Sequence, residues 1–135
     1  MSLLKVLEGE LSVQILTAAI LAILFLQSGL DKIFDWKGNL DWLKSHFGSS
    51  PLKSVVPLLL TIITITEVTA GLLSAIGVIM LLTSGDTTIA MLGAQISALS
   101  IVMLFFGQRI AKDYAGAATL VPYFILAIFG ILILN

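Results

Sequence analysis

Glu67 is the residue best placed to do chemistry. It lies near the middle of LLLTIITITEVTAGLLSAIG, residues 58 to 77, an apolar run long enough to cross a bilayer. A charged acid at the bilayer centre costs about 2.5 to 3.5 kcal/mol on insertion scales, so it is expected to face other helices and to have a use. Thr64, Glu67, Gly71 and Ser74 fall within an arc of roughly 80° at 100° per residue, a polar, small-residue stripe suited to close helix packing. Leucine, isoleucine and valine fill the other faces, which suits lipid.

Depth selects the partners of the acid. Counted from Pro57, Glu67 lies about ten residues, or ~15 Å, along its span, close to the midplane. Gln95 is at a similar depth in the next span, whereas Lys32 and Arg109 are expected at the membrane surface. With no cation level with the acid, a protonated Glu67 hydrogen-bonded to Gln95, Thr64 or Tyr123 is expected in place of a salt bridge. Such a residue is either a polar clasp fixing helix register, worth on the order of 1 kcal/mol per interhelical hydrogen bond, or a proton-accepting or ligand-binding group in a cavity between helices.

A second set of charges falls where spans end. Asp31 and Lys32 close the first span, and Arg109, Lys112 and Asp113 follow the third. Opposite charges on neighbouring helix ends lock a bundle, bind an anionic lipid headgroup or a quinone head, or form a solvated, snorkelling cluster, and the last is the expectation. His46 is the only histidine and is read as a lone surface residue. It leaves no bis-histidine haem and no multi-histidine metal centre. No serine–histidine–acid set, phosphate loop or metal-binding acid pair can be assembled, so no residue is assigned as catalytic and no metal is expected. The absence of cysteine removes disulfide exchange, thiolate nucleophiles, iron–sulfur clusters and cysteine zinc sites.

The elements that must position these groups are membrane spans. Of 135 residues 59% are hydrophobic and only 11% charged, with a mean hydropathy of +1.12, which is the composition of a membrane protein. A net charge of −1 and a pI near 5.6 give no footprint for nucleic acid, which is excluded as a partner. The apolar runs predict an all-α membrane protein, an antiparallel four-transmembrane-helix bundle forming one domain over 1–135, with spans at about 11–30, 57–82, 87–106 and 118–134. The opening MSLLKVLEGELSVQ lacks a cleavage pattern and is read as leading into a retained first helix. Pro122 is tolerated near the start of the last span, and none of the four shows an interruption.

Lys32, Lys37, Lys44, Lys53, Arg109 and Lys112 all fall in the first and third connections, against Lys5 alone on the other side. The bias predicts cytoplasmic first and third connections and termini outside. The first connection, DKIFDWKGNLDWLKSHFGSSPLKS, carries a short interfacial helix at about 40–47, capped by Asn39, with Leu40, Leu43 and Phe47 on one face. Trp36 and Trp42 are anchors at headgroup level. The helix is read as a membrane-surface anchor, with a lid over an interhelical site as the sharper reading.

FLQSGLDKIF closing span one (Gly29, Lys32), TEVTAGLLSAIG in span two (Glu67, Gly71, Gly77) and GQRIAKDYAG after span three (Gly107, Arg109, Asp113) resemble the DoxX family of small four-helix bacterial membrane proteins. Gln14 stands where such proteins often carry an arginine. The resemblance implies a multi-pass protein of the bacterial cytoplasmic membrane, some of whose relatives are tied to membrane oxidoreductase complexes, including thiosulfate-to-quinone electron transfer. With no ligand set of its own, such a chain is expected to be a non-catalytic accessory or structural subunit, its partners the lipid bilayer and other membrane subunits or copies of itself. Any cofactor would be a bound quinone or lipid. A quinone-interacting oxidoreductase subunit, with Glu67 as proton acceptor and Arg109 steering the head group, is the alternative; a small transporter is the third.

Overall fold

The computed structural model describes residues 9–135, so Lys5 and the opening MSLLKVLE lie outside the described residues. Every element among the described residues is helical: α1 (Gly9–Phe34), α2 (Trp36–His46), a 3-10 turn (Lys53–Val55), α3 (Val56–Thr83), α4 (Thr88–Ile110), α5 (Tyr114–Ala118) and α6 (Val121–Ile133). Four helical stretches are long and apolar enough to cross a membrane: 9–34, 53–83, 88–110 and 114–133. The chain is an all-α membrane protein.

Local chemistry sets the boundaries. Glu10 in the first turn of α1 and Lys32 in the last complement the helix dipole. Asp35 caps α2, its Oδ1 accepting from the Gly38 N–H at 3.3 Å. That moves the start of α2 ahead of the expected Asn39 cap, and Asn39 instead donates its side-chain amide to the Asp35 carbonyl. Both residues can serve as caps, and the earlier one wins because it adds a turn of helix. Pro57 sits in the first turn of α3, where its missing N–H is no loss. Gly85, at φ 75°, turns the chain at the end of α3, its N–H bonding the carbonyls of Met80 and Leu81.

The fourth span departs from its expected form. It is interrupted at Thr119 and Leu120, between α5 and α6. Pro122 is the cause, since it has no N–H to give the Ala118 carbonyl and its ring crowds that turn. The hydroxyl of Thr119 bonds the Gly116 carbonyl at 2.6 Å beside the break.

α3 is the central element, packing most extensively on α1 and α4, while α6 closes the ring against α4 and α1. Small residues make this possible. A Cβ on Gly77 would stand 2.5 Å from Ala90 Cα, and one on Gly71 2.6 Å from Leu26 N, so these backbones approach as only glycine permits. At one end of the bundle Gln14 donates to the Ile133 carbonyl at 2.9 Å, tying α1 to the last turn of α6. At the other end α2 lies across the mouth of α3 and α4, with Phe47 buried against Gly107.

Candidate functional site: a buried ion pair and a capped cavity

The helix register decides what Glu67 meets. Gly29 of α1 sits against Val68 of α3, its added Cβ falling 2.7 Å from Val68 Cγ2, and Gly71 sits against Leu26. One turn beyond Gly29 is Lys32, and three residues back from Val68 is Ile65, so Lys32 is nearly level with Glu67. The lysine stem covers the remainder. Its Nζ lies 3.0 Å from Glu67 Oε1, with the glutamate side chain 1% exposed and the lysine 16%. The expectation of no cation level with the acid is therefore corrected. α3 begins at Val56 while α1 ends at Phe34, so α3 overhangs α1 by about two turns and Lys32 lies inside the bundle instead of at its surface.

Lys32 is held from below as well: its Nζ donates to Ser28 Oγ at 2.9 Å and reaches the Ser28 carbonyl at 3.4 Å. The Glu67–Lys32 contact is close but poorly directed for a hydrogen bond, and neither carboxylate oxygen has a hydrogen-bond partner. The pair is thus held by charge, which acts strongly where water is excluded. The arrangement can clamp α1 to α3, and it leaves Oε2 able to accept one more donor.

Of the residues expected around the acid, Thr64 is buried one turn away, but its hydroxyl bonds the Leu60 carbonyl at 2.7 Å. Gln95 points outward, and Tyr123 is 44% exposed on α6. Neither reaches the acid. The α4 residue at its level is Ser100. Gly93 packs against Ser74, and seven residues on in α4 and seven back in α3 put Ser100 and Glu67 at the same level of the bundle. Ser100 Oγ and Ser74 Oγ are both buried without partners. Sequence reasoning missed Ser100 and Ser28. Their signal was the small-residue spacing Gly93, Ser97, Ser100 on one face of α4, and the placement of Ser28 one turn before Lys32.

The surface charge cluster is dispersed by the fold. Lys32 leaves it for Glu67, while Asp31 stays exposed. Arg109 stacks over the Tyr114 ring, 4.4 Å from its centroid. Asp113 caps α5, accepting from Gly116 N at 2.9 Å, and its other oxygen lies 3.5 Å from His46 Nε2. Lys112 takes φ 61° in the tight link that brings Asp113 round. His46 is not a lone surface residue: its ring stacks on Trp42 at 4.5 Å and its Nε2 is 2.7 Å from Gln108 Oε1. Connection one is thereby pinned to connection three. Trp36 is half-buried and Trp42 exposed, both on α2.

Beneath α2 lies an apolar cavity of about 410 Å³. Leu43 of α2 and Phe47 just past its end roof it, Leu60 and Ile63 of α3 and Val102 and Phe106 of α4 wall it, and Gln108 lies at its polar edge.

A family model for DoxX matches residues 16–100. The chain belongs to the DoxX family. The match takes in Lys32, Glu67 and Ser100 of this DoxX protein and stops short of connection three and the interrupted fourth span. Among curated proteins and among solved structures, nothing matches the chain.

Proposed function

We propose that this DoxX protein is a non-catalytic accessory subunit of a larger membrane complex in the bacterial cytoplasmic membrane, with connections one and three on the cytoplasmic side. The enclosure of Glu67 carries the reading: at 1% exposure and against Lys32, the acid has its charge compensated inside the bundle. A group so placed holds helices together, and the chemistry of any redox complex falls to a partner. Purification of the tagged protein from its native membrane in a gentle detergent, with mass spectrometry of what co-elutes, tests this. A stoichiometric membrane protein partner is expected; a chain that elutes alone from every mild detergent defeats the reading.

The free acceptor of Glu67 Oε2, level with Ser100, favours a second reading as a quinone-interacting subunit in which Glu67 takes a proton. Its signature is a quinone-dependent spectral change in the pure protein that disappears in Glu67→Gln. A transporter would need paired broken helices. The interruption before Pro122 has no counterpart in the first three spans, so the paired half-helices of an inverted repeat are not supported.

A further inference from the structure

The cavity under α2 has two features that together select an occupant. Its walls are apolar, with Gln108 the one polar side chain, and that amide is already engaged by His46, so the interior accepts hydrocarbon and rejects a head group. Its open side is formed by Ile62, Val102 and Phe106, all exposed on the face that spans the bilayer. An occupant enters sideways from lipid. Around the interfacial end stand cations next in sequence to lining residues: Lys44 beside Leu43, Lys53 beside Leu52 and Arg109 beside Gln108, each exposed. The acids at this end are Asp31 and Asp35, ahead of α2, Asp41, on α2, and Asp113, which is occupied by Gly116 N and His46, and none of the four is next in sequence to a lining residue. Positive charge therefore dominates the rim.

We infer that this cavity binds one acyl chain of an anionic phospholipid, with the lipid phosphate among Lys44, Lys53 and Arg109 and the interfacial helix closed over the chain. A basic rim over an apolar slot between membrane helices, at the level of the headgroups, is the arrangement that recognises such a lipid. The inference stands apart from the subunit proposal and from Glu67.

Native mass spectrometry of the full-length protein in detergent, titrated with dioleoyl phosphatidylglycerol or dioleoyl phosphatidylcholine, tests it. One phosphatidylglycerol is expected to remain bound per chain, with a preference over phosphatidylcholine of roughly tenfold or more given three cations at the rim. Exchanging Lys44, Lys53 and Arg109 together for glutamine is expected to bring phosphatidylglycerol down to the phosphatidylcholine level. Ile62→Trp, on the exposed wall, fills the slot without entering the core and is expected to remove retention of both lipids. Gly107→Leu fills it from α4 and serves if the first variant does not keep its helical circular dichroism. Equal retention of the two lipids overturns the inference. So does undiminished retention in folded variants with a filled slot, or displacement of phosphatidylglycerol by an equimolar ubiquinone.

Discussion

A lysine and a glutamate face each other in a bundle otherwise suited to lipid, and neither is easily replaced alone. Removing one partner leaves the other charged and buried, so Lys32→Met is expected to cost about 3 to 5 kcal/mol, measured by denaturation in detergent. The double variant Lys32→Met/Glu67→Leu is expected to regain most of that loss, because two apolar side chains pack where two charges stood. A double variant that loses the sum of what Lys32→Met and Glu67→Leu lose singly would show that the two residues contribute nothing as a pair. Infrared spectroscopy supplies an independent check: an ionised carboxylate band at neutral pH, absent in Glu67→Gln. That a buried acid sat on the inner face of its helix was legible from Thr64, Gly71 and Ser74 around it. Its partner was not. Lys32 and Glu67 are brought level by how deeply Gly29 and Gly71 let α1 and α3 approach and slide, and a register between helices is written in no single segment.

Among the elements, the glycines divide by what surrounds them. Gly71 and Gly77 face neighbouring backbone, so alanine there forces helices apart and is expected to cost about 1 to 3 kcal/mol. Gly107→Ala meets only the Phe47 ring at 3.5 Å and is expected to leave stability unchanged. Thermal denaturation of the three variants in one detergent separates the classes, and equal behaviour would deny the close packing. The α3–α4 hairpin offers a pH test. Asp86 accepts from the backbone N–H of Thr88 and from its hydroxyl, and these two bonds hold its carboxyl below the usual carboxylate range. A depressed value in the folded protein means the contribution is present above the ordinary carboxylate range and fades as pH falls through the lowered value. The stability advantage of the native chain over Asp86→Asn is therefore expected to shrink on acidification; an advantage unchanged with pH would sink the assignment. Pro122 was visible in the sequence, but whether it opened a helix or broke one depended on α5 forming ahead of it. Asp113 makes that possible, and it was read only as a charge.

For the molecule as a whole, four apolar runs separated by polar connections were enough to give the bundle, because each span must satisfy its own backbone in lipid and so can only be helical. The cavity and its roof were not legible. They depend on α2 folding back so that His46 meets Gln108 and Asp113, residues more than sixty positions away. Hydrogen exchange can read this contact: His46→Ala is expected to raise exchange across Trp36–His46 while α3 stays protected, and unchanged exchange would show that the clasp does not hold α2 down. The ion pair also bears on how the chain is made. A segment reaching the bilayer with an unpaired Glu67 carries a penalty of about 2.5 to 3.5 kcal/mol that its leucines and isoleucines must overcome alone. Lys32 of the first span, which precedes α3 in the chain, offsets part of that penalty once the two helices lie together. Order of synthesis thus favours the pair, since α3, which carries the acid, follows the span that carries its lysine.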